Sequence, residues 1–167
     1  MRTLEAQLDD DANFITSVCV TPNGKHVVTG SMDKTARIWL LSDGSHVRTL
    51  KGHTDFVASV CVTPDGKHVV TGSEDSTARI WLLSDGSHVR TLKGHTGFVR
   101  SVCVTADGKH VVTGSDDKTA RIWLLSDGSL VRTLQGQTKA VLSVCLTPDG
   151  KHVLTASGDK TARDWAL

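Results

Sequence analysis

With 167 residues and a hydrophobic fraction of 38%, the chain has the length and apolar content of one ordinary domain. Its net charge of +1 gives no global pull toward nucleic acid or an acidic membrane surface, so neither is expected as a partner. No apolar run approaches a membrane span, and no signal-like apolar segment follows Met1.

The chain opens with Leu4-Glu-Ala-Gln-Leu8, followed by Asp9 to Ala12. From there a unit of 42 residues recurs, marked by Trp39, Trp81, Trp123 and Trp165. A fixed period of this length means a repeat architecture. Residues 57–98 and 99–140 differ at nine of 42 positions, while the first and last repeats are looser. In the second repeat, Val57 to Thr63 alternates and is rich in β-branched residues, which predicts a strand. Pro64-Asp-Gly-Lys67 predicts a tight turn, because proline presets one φ and glycine supplies a positive one. His68 to Gly72 is a second strand, Ser73 to Ser76 a turn, and Thr77 to Leu83 a third strand. Ser84-Asp-Gly-Ser87 carries the Asp-Gly of a hairpin turn, and His88 to Leu92 is a fourth strand. Four antiparallel strands with short turns make one blade of a β-propeller. The expected fold is therefore all-β: residues 1–167 as one propeller unit of four blades.

Leu4 to Leu8 aligns with the fourth strand of a blade, Leu8 taking the place of Leu50. The last repeat stops after its third strand. Residues 2–8 are thus expected to complete a C-terminal blade as its outer strand, which blunts an open edge. Cys19, Cys61, Cys103 and Cys145 share the 42-residue spacing. Each reads as one small buried residue copied four times, in preference to a disulfide or metal ligand. Free buried thiols fit a reducing, cytoplasmic setting.

Gly52-His53, Thr71, Asp75 and Trp81, at their positions in the repeat, resemble the WD40 repeat family, and the resemblance covers essentially the whole chain. The Trp-Asp that often closes such a repeat is Trp-Leu here and Trp-Ala at the end. The resemblance implies a structural hydrogen-bond tetrad. In the second repeat it would be His53, Thr71, Asp75 and Trp81, and in the third His95, Thr113, Asp117 and Trp123. The indole N–H would donate to the hydroxyl, the hydroxyl to the imidazole, and the other ring nitrogen to the carboxylate. The first repeat departs, with Asp11 beside Thr29, Asp33 and Trp39. The fourth departs with Gln137 beside Thr155, Asp159 and Trp165. Both terminal blades are expected to be less tightly clamped, with Asp11 turned to solvent.

A hydroxyl, an imidazole and a carboxylate in a row also look like a nucleophilic triad. The threonine sits on a strand expected to be buried, and no Gly-x-Ser-x-Gly motif is present, so no enzyme is expected. No cofactor is expected either. His26, His68, His110 and His152 repeat after Gly-Lys and would bind metal only if they converged. Arg37, Arg79, Arg121 and Arg163 are expected to lie over tryptophan or pair with an acid, in preference to forming a nucleic-acid stripe.

Rings of this family usually have six to eight blades. At roughly 45–60° per blade, four blades span about half a circle. Two chains in head-to-tail order would close an eight-bladed homodimeric ring with two identical heterologous junctions, Leu4, Leu8, Asp164 and Trp165 lying at each. The alternative is a closed four-bladed monomer. Asp164 stands where the other repeats have Ile38, Ile80 and Ile122, and a carboxylate on that face is costly unless paired.

The resemblance implies that a protein or peptide would bind the face bearing the fourth-to-first-strand loops. Copies differ most there: Phe14, Phe56, Phe98 and Ala140 share one position, and Thr16, Ala58, Arg100 and Leu142 another. Met32, Glu74, Asp116 and Gly158 precede the tetrad aspartate. Such clustering is what a binding surface looks like, and equally what drift at exposed positions looks like. The expected function is a non-catalytic scaffold that assembles with itself, its near-identical repeats pointing to an engineered or amplified origin. The alternative is a peptide-binding module within a longer regulatory protein.

Overall fold

The computed structural model describes residues 14–167. The expected outer strand at 2–8, and with it Leu4, Leu8 and Asp11, lies outside the described residues. The first blade holds β1 (Ile15–Val20), β2 (His26–Ser31), β3 (Thr35–Leu40) and β4 (His46–Lys51). The second holds β5 (Val57–Val62), β6 (His68–Ser73), β7 (Ala78–Leu82) and β8 (His88–Leu92). The third holds β9 (Val99–Val104), β10 (His110–Ser115), β11 (Thr119–Leu124) and β12 (Leu130–Gln135). The fourth holds β13 (Val141–Leu146), β14 (His152–Ser157) and β15 (Ala162–Ala166). Each sheet is antiparallel with its strands in chain order, three of them four-stranded and the last three-stranded among the described residues. Among the described residues no helix is long and apolar enough to cross a membrane.

Two threonines expected in strands belong to turns instead. Thr63 donates its hydroxyl to Asp65 Oδ1 at 2.6 Å, while the same oxygen accepts the Lys67 amide at 3.0 Å. Gly66 completes that turn at φ +69°, a conformation costly for a residue with a Cβ. Thr77 likewise donates both its amide and its hydroxyl to Asp75 Oδ1, at 3.0 and 2.6 Å. Thr35 and Thr119 make the same pair of bonds to Asp33 and Asp117 at the very start of β3 and β11, so the bonds mark where the turn meets the strand.

The core is three slabs, one between each pair of neighbouring blades. Between the first and second, Val28, Ile38 and Leu50 pack against Val57, Val60, Val69 and Trp81. The other two slabs repeat this with Val70, Ile80 and Leu92 against Val99, Val102, Val111 and Trp123, then Val112, Ile122 and Leu134 against Val141, Val144, Val153 and the half-buried Trp165. Every blade thus has a leading face and a trailing face, and the strand period of two assigns alternate residues to each. A hydrogen bond pins each slab. The amides of Val60, Val102 and Val144 donate to the hydroxyls of Ser17, Ser59 and Ser101 on the preceding blade, at 3.1, 3.2 and 3.1 Å.

The two outermost faces are open. On the first blade Ile15, Val18 and Val20 are 48%, 64% and 52% exposed, although Val57 and Val60 in the second are buried. On the fourth blade Cys145, Ala162 and Asp164 are exposed. This corrects the expectation that all four cysteines are buried. Cys19, Cys61 and Cys103 are half-buried against the next blade, whereas Cys145 faces outward because the described residues place no blade beyond it.

Candidate functional site

In the second blade, Trp81 Nε1–H donates to Thr71 Oγ1 at 2.9 Å. That hydroxyl lies 2.7 Å from His53 Nε2, and His53 Nδ1 lies 2.7 Å from Asp75 Oδ2. The third blade repeats the chain through Trp123, Thr113, His95 and Asp117 at the same distances. Asp75 also accepts the Thr54 amide at 3.1 Å, so the chain ties the loop entering each blade to its second and third strands. Burial by itself pushes the Asp75 carboxyl up, but hydrogen bonds from His53 and Thr77 outweigh it and hold the group well below the ordinary carboxylate value. For His95, burial lowers the ring's pKa more than the Asp117 carboxylate raises it. The neutral ring this favours, with Nδ1–H toward the carboxylate, leaves Nε2 to accept the threonine hydroxyl proton. Thr71 and Thr113 are fully buried and have no path to a substrate.

The end blades are built differently. In the first, Trp39 Nε1–H donates to Thr29 at 2.9 Å, and Asp33 pairs with Arg37. In the fourth, Trp165 donates to Thr155 at 3.0 Å, and Asp159 takes the Thr138 amide at 2.9 Å and Arg163 at 3.0 Å. Gln137 stands in the histidine place with its amide 2.9 Å from Thr155 Oγ1. Its carbonyl oxygen is buried without a partner when Nε2 faces the hydroxyl. Exchanging the two amide atoms puts the carbonyl on the threonine O–H, the role His53 Nε2 plays in the second blade. Arg79 and Arg121 lie over Trp81 and Trp123, 6.0 and 5.9 Å from the ring centroids.

The candidate binding face gathers at the inner ends of the blades. Phe14, Thr16, Met32, Phe56, Ala58, Glu74, Arg100 and Leu142 line one depression of about 350 Å³ to which all four blades contribute. Arg100 grips Asp116 through Nε and Nη2 at 3.0 and 2.8 Å and reaches Glu74 through Nη1 at 2.8 Å. Its guanidinium lies 5.0 Å from the Phe98 ring centroid. The bidentate Asp116 contact leads in holding the arginine charge. The middle of the depression thus holds a fixed acid–base cluster, and its first- and fourth-blade ends are apolar, with Phe14 64% exposed and Leu142 52% exposed.

Of the junction residues, Asp164 finds its donor in its own blade: Oδ1 lies 2.7 Å from Nδ1 of His152 on the neighbouring strand. Sequence reasoning missed His152 in this role, although β14 and β15 in register place the two residues diagonally. Trp165 is half-buried against the third blade, unlike Trp81 and Trp123. Among the described residues no group of three or more His, Cys, Asp or Glu is placed to hold a metal ion.

The family described as WD domain, G-beta repeat matches residues 1–39, 44–81, 86–123 and 128–163, nearly the whole chain. The chain belongs to the WD40 repeat family. WD40 propellers are generally non-catalytic scaffolds for protein interaction, which accords with a threonine sealed between tryptophan and histidine. The chain is also 41% identical over 56 residues to the nuclear distribution protein PAC1 of Candida albicans. That match covers 30% of this chain and 12% of the relative.

Proposed function

We propose that this WD40 chain is a non-catalytic half-ring that closes with a second copy, head to tail, into an eight-bladed ring. The observation that carries the reading is the pair of open faces. Ile15, Val18 and Val20 are exposed on one end blade, and Cys145 and Ala162 on the other, although their counterparts pack together at three internal slabs. Ser143 adds to it. Its counterparts Ser17, Ser59 and Ser101 each accept an amide from the following blade, and among the described residues Ser143 has no such donor. The Val18 amide of a second chain, the counterpart of the Val60, Val102 and Val144 amides, would supply one. The Leu4 to Leu8 segment would then add an outer strand to β15 of its neighbour. Near-identity of the repeats supports an amplified or engineered origin, and the free thiols suit a reducing, cytoplasmic compartment.

Light scattering over a dilution series tests this. A species of about 36 kDa, twice the 17.9 kDa chain, is expected. A stable 17.9 kDa species at all concentrations would refute it.

A second reading, a peptide-binding module, is favoured by the depression lined by both apolar and charged side chains. Phe56→Ala and Phe98→Ala would abolish capture of a peptide partner while leaving the mass in solution unchanged. Retained capture would remove this reading.

A further inference from the structure

We infer that the outward face of the fourth blade is a polar junction surface for the first-blade face of a second copy, and that its His152–Asp164 pair makes closure proton-dependent, tighter in acid. This rests on the half-ring reading above.

The fourth-blade face departs from the three internal trailing faces at the positions that meet the next blade. Gly30, Gly72 and Gly114 lie so close to the following blade that a Cβ would fall 3.0, 2.8 and 2.8 Å from a valine methyl. The fourth blade has Ala156 there, and the facing residue on the first blade is Ile15 where the other blades have valine. Both changes add bulk, so a junction formed here would have to stand wider than its internal counterparts. Asp164 replaces Ile38, Ile80 and Ile122, which are 1%, 0% and 2% exposed.

In the open chain the Asp164 and His152 side chains are 59% and 39% exposed, and water supports the carboxylate. When a blade covers this face, the carboxylate takes the dry place of an isoleucine and loses that water. A protonated His152, 2.7 Å away, offers it a countercharge in direct contact. The charged groups nearest in sequence to His152 are Asp149 and Lys151 in the preceding turn, while Asp159 and Arg163, elsewhere on the blade, pair with each other. On the incoming blade the turn facing His152 carries Asn23 and Gly24, where the turn facing His110 carries Asp149 and Gly150. Lys25 follows that turn in the sequence and brings a cation to the incoming blade.

The sign follows. His152 gains a dry acidic partner on closure, so its value in the ring lies above its value in the open chain. Closure is strengthened in acid, where His152 carries its charge, and loses that contribution as pH rises. A tenfold effect at each junction becomes, with two junctions per ring, about a hundredfold in the dimer dissociation constant.

The experiment is light scattering of the full chain over dilution series at about pH 5.5 and about pH 8, for the native sequence, Asp164→Ile and His152→Gln. The native chain is expected to dissociate at far higher concentration at the alkaline pH. Asp164→Ile should bind tightly at both values, and His152→Gln weakly at both. Asp164 is exposed in the single chain, so its replacement leaves folding intact. Equal dissociation constants for the native chain at the two pH values, or a pH dependence that persists in Asp164→Ile, overturns the inference while the half-ring stands. A mass of 17.9 kDa at every pH and concentration overturns both.

Discussion

The Gly72 backbone lies against the Val102 side chain so closely that a Cβ on residue 72 would fall 2.8 Å from Val102 Cγ1. Val99 Cγ1 would be 2.9 Å away, and the Val99 carbonyl oxygen 3.3 Å. With the β9 backbone as one of the walls, the contact has little room to relax. Gly72→Ala should therefore destabilise the chain by about 1–3 kcal/mol, the usual cost of overpacking. Urea unfolding followed by tryptophan fluorescence measures it. Ala156→Gly, the reverse change on the exposed face of the last blade, should cost no more than about 1 kcal/mol in the single chain. Equal and opposite effects at the two sites would show that the blades do not approach as described.

The hydroxyl of Thr71 serves two buried neighbours, Trp81 Nε1–H and His53 Nε2. Thr71→Val keeps the shape and strands both, at roughly 1–3 kcal/mol for each group left unpaired. A loss of about 2–4 kcal/mol is expected by denaturant titration. Thr155→Val should cost less, because Trp165 is half-buried and water can reach its indole. Comparable losses at the two sites would mean that the last blade is clamped as firmly as the second.

Much of this arrangement was legible in the sequence, and the reason is physical. A strand tells its two faces apart by alternation, and a turn announces itself through Asp-Gly, so Val57 to Leu92 could be parsed without coordinates. The partners of the tetrad could be named because each lies at a fixed offset in a repeated unit. Contacts that depend on one repeat alone were not legible. His152 and Asp164 pair because a histidine common to all repeats meets an acid found in the fourth only. Arg100 reaches Glu74 from a different repeat, and periodicity carries no signal for such a pair. The exposure of Cys145 was hidden for the same reason: its strand matches three others, and only its place at the end of the stack differs.

The tetrad titrates in a definite direction. Burial lowers the His95 pKa below the ordinary histidine value of 6.5, so the unfolded chain takes up that proton at a higher pH than the folded one. The stability this confers is complete above the unfolded value and drains away as pH falls through the folded one. The depressed Asp117 carboxyl adds a second loss in stronger acid, below its ordinary 3.8. Urea midpoints should thus fall between neutral pH and about pH 5. His95→Gln, which installs what the fourth blade carries at Gln137, should flatten that interval and reduce the more acidic loss without abolishing it, because Thr119 and the Thr96 amide still hold the Asp117 carboxyl down. An unchanged slope would assign the interval to another histidine.

The cysteines give an independent reading of whether the end faces are covered. Burial pushes the Cys19 and Cys103 thiols up to about 12 and Cys61 well above its ordinary value, so little thiolate forms at neutral pH. Cys145 lies exposed on the outward face of the fourth blade. A thiol-specific reagent should therefore label one cysteine per chain rapidly in dilute solution, and mass spectrometry of the digest should place the label on Cys145. At concentrations where the ring forms, that fast phase should shrink toward the rate of the other three. A fast phase of one thiol at every concentration would mean that the fourth-blade face stays uncovered, and four equally slow thiols in dilute solution would mean that a single chain covers it unaided.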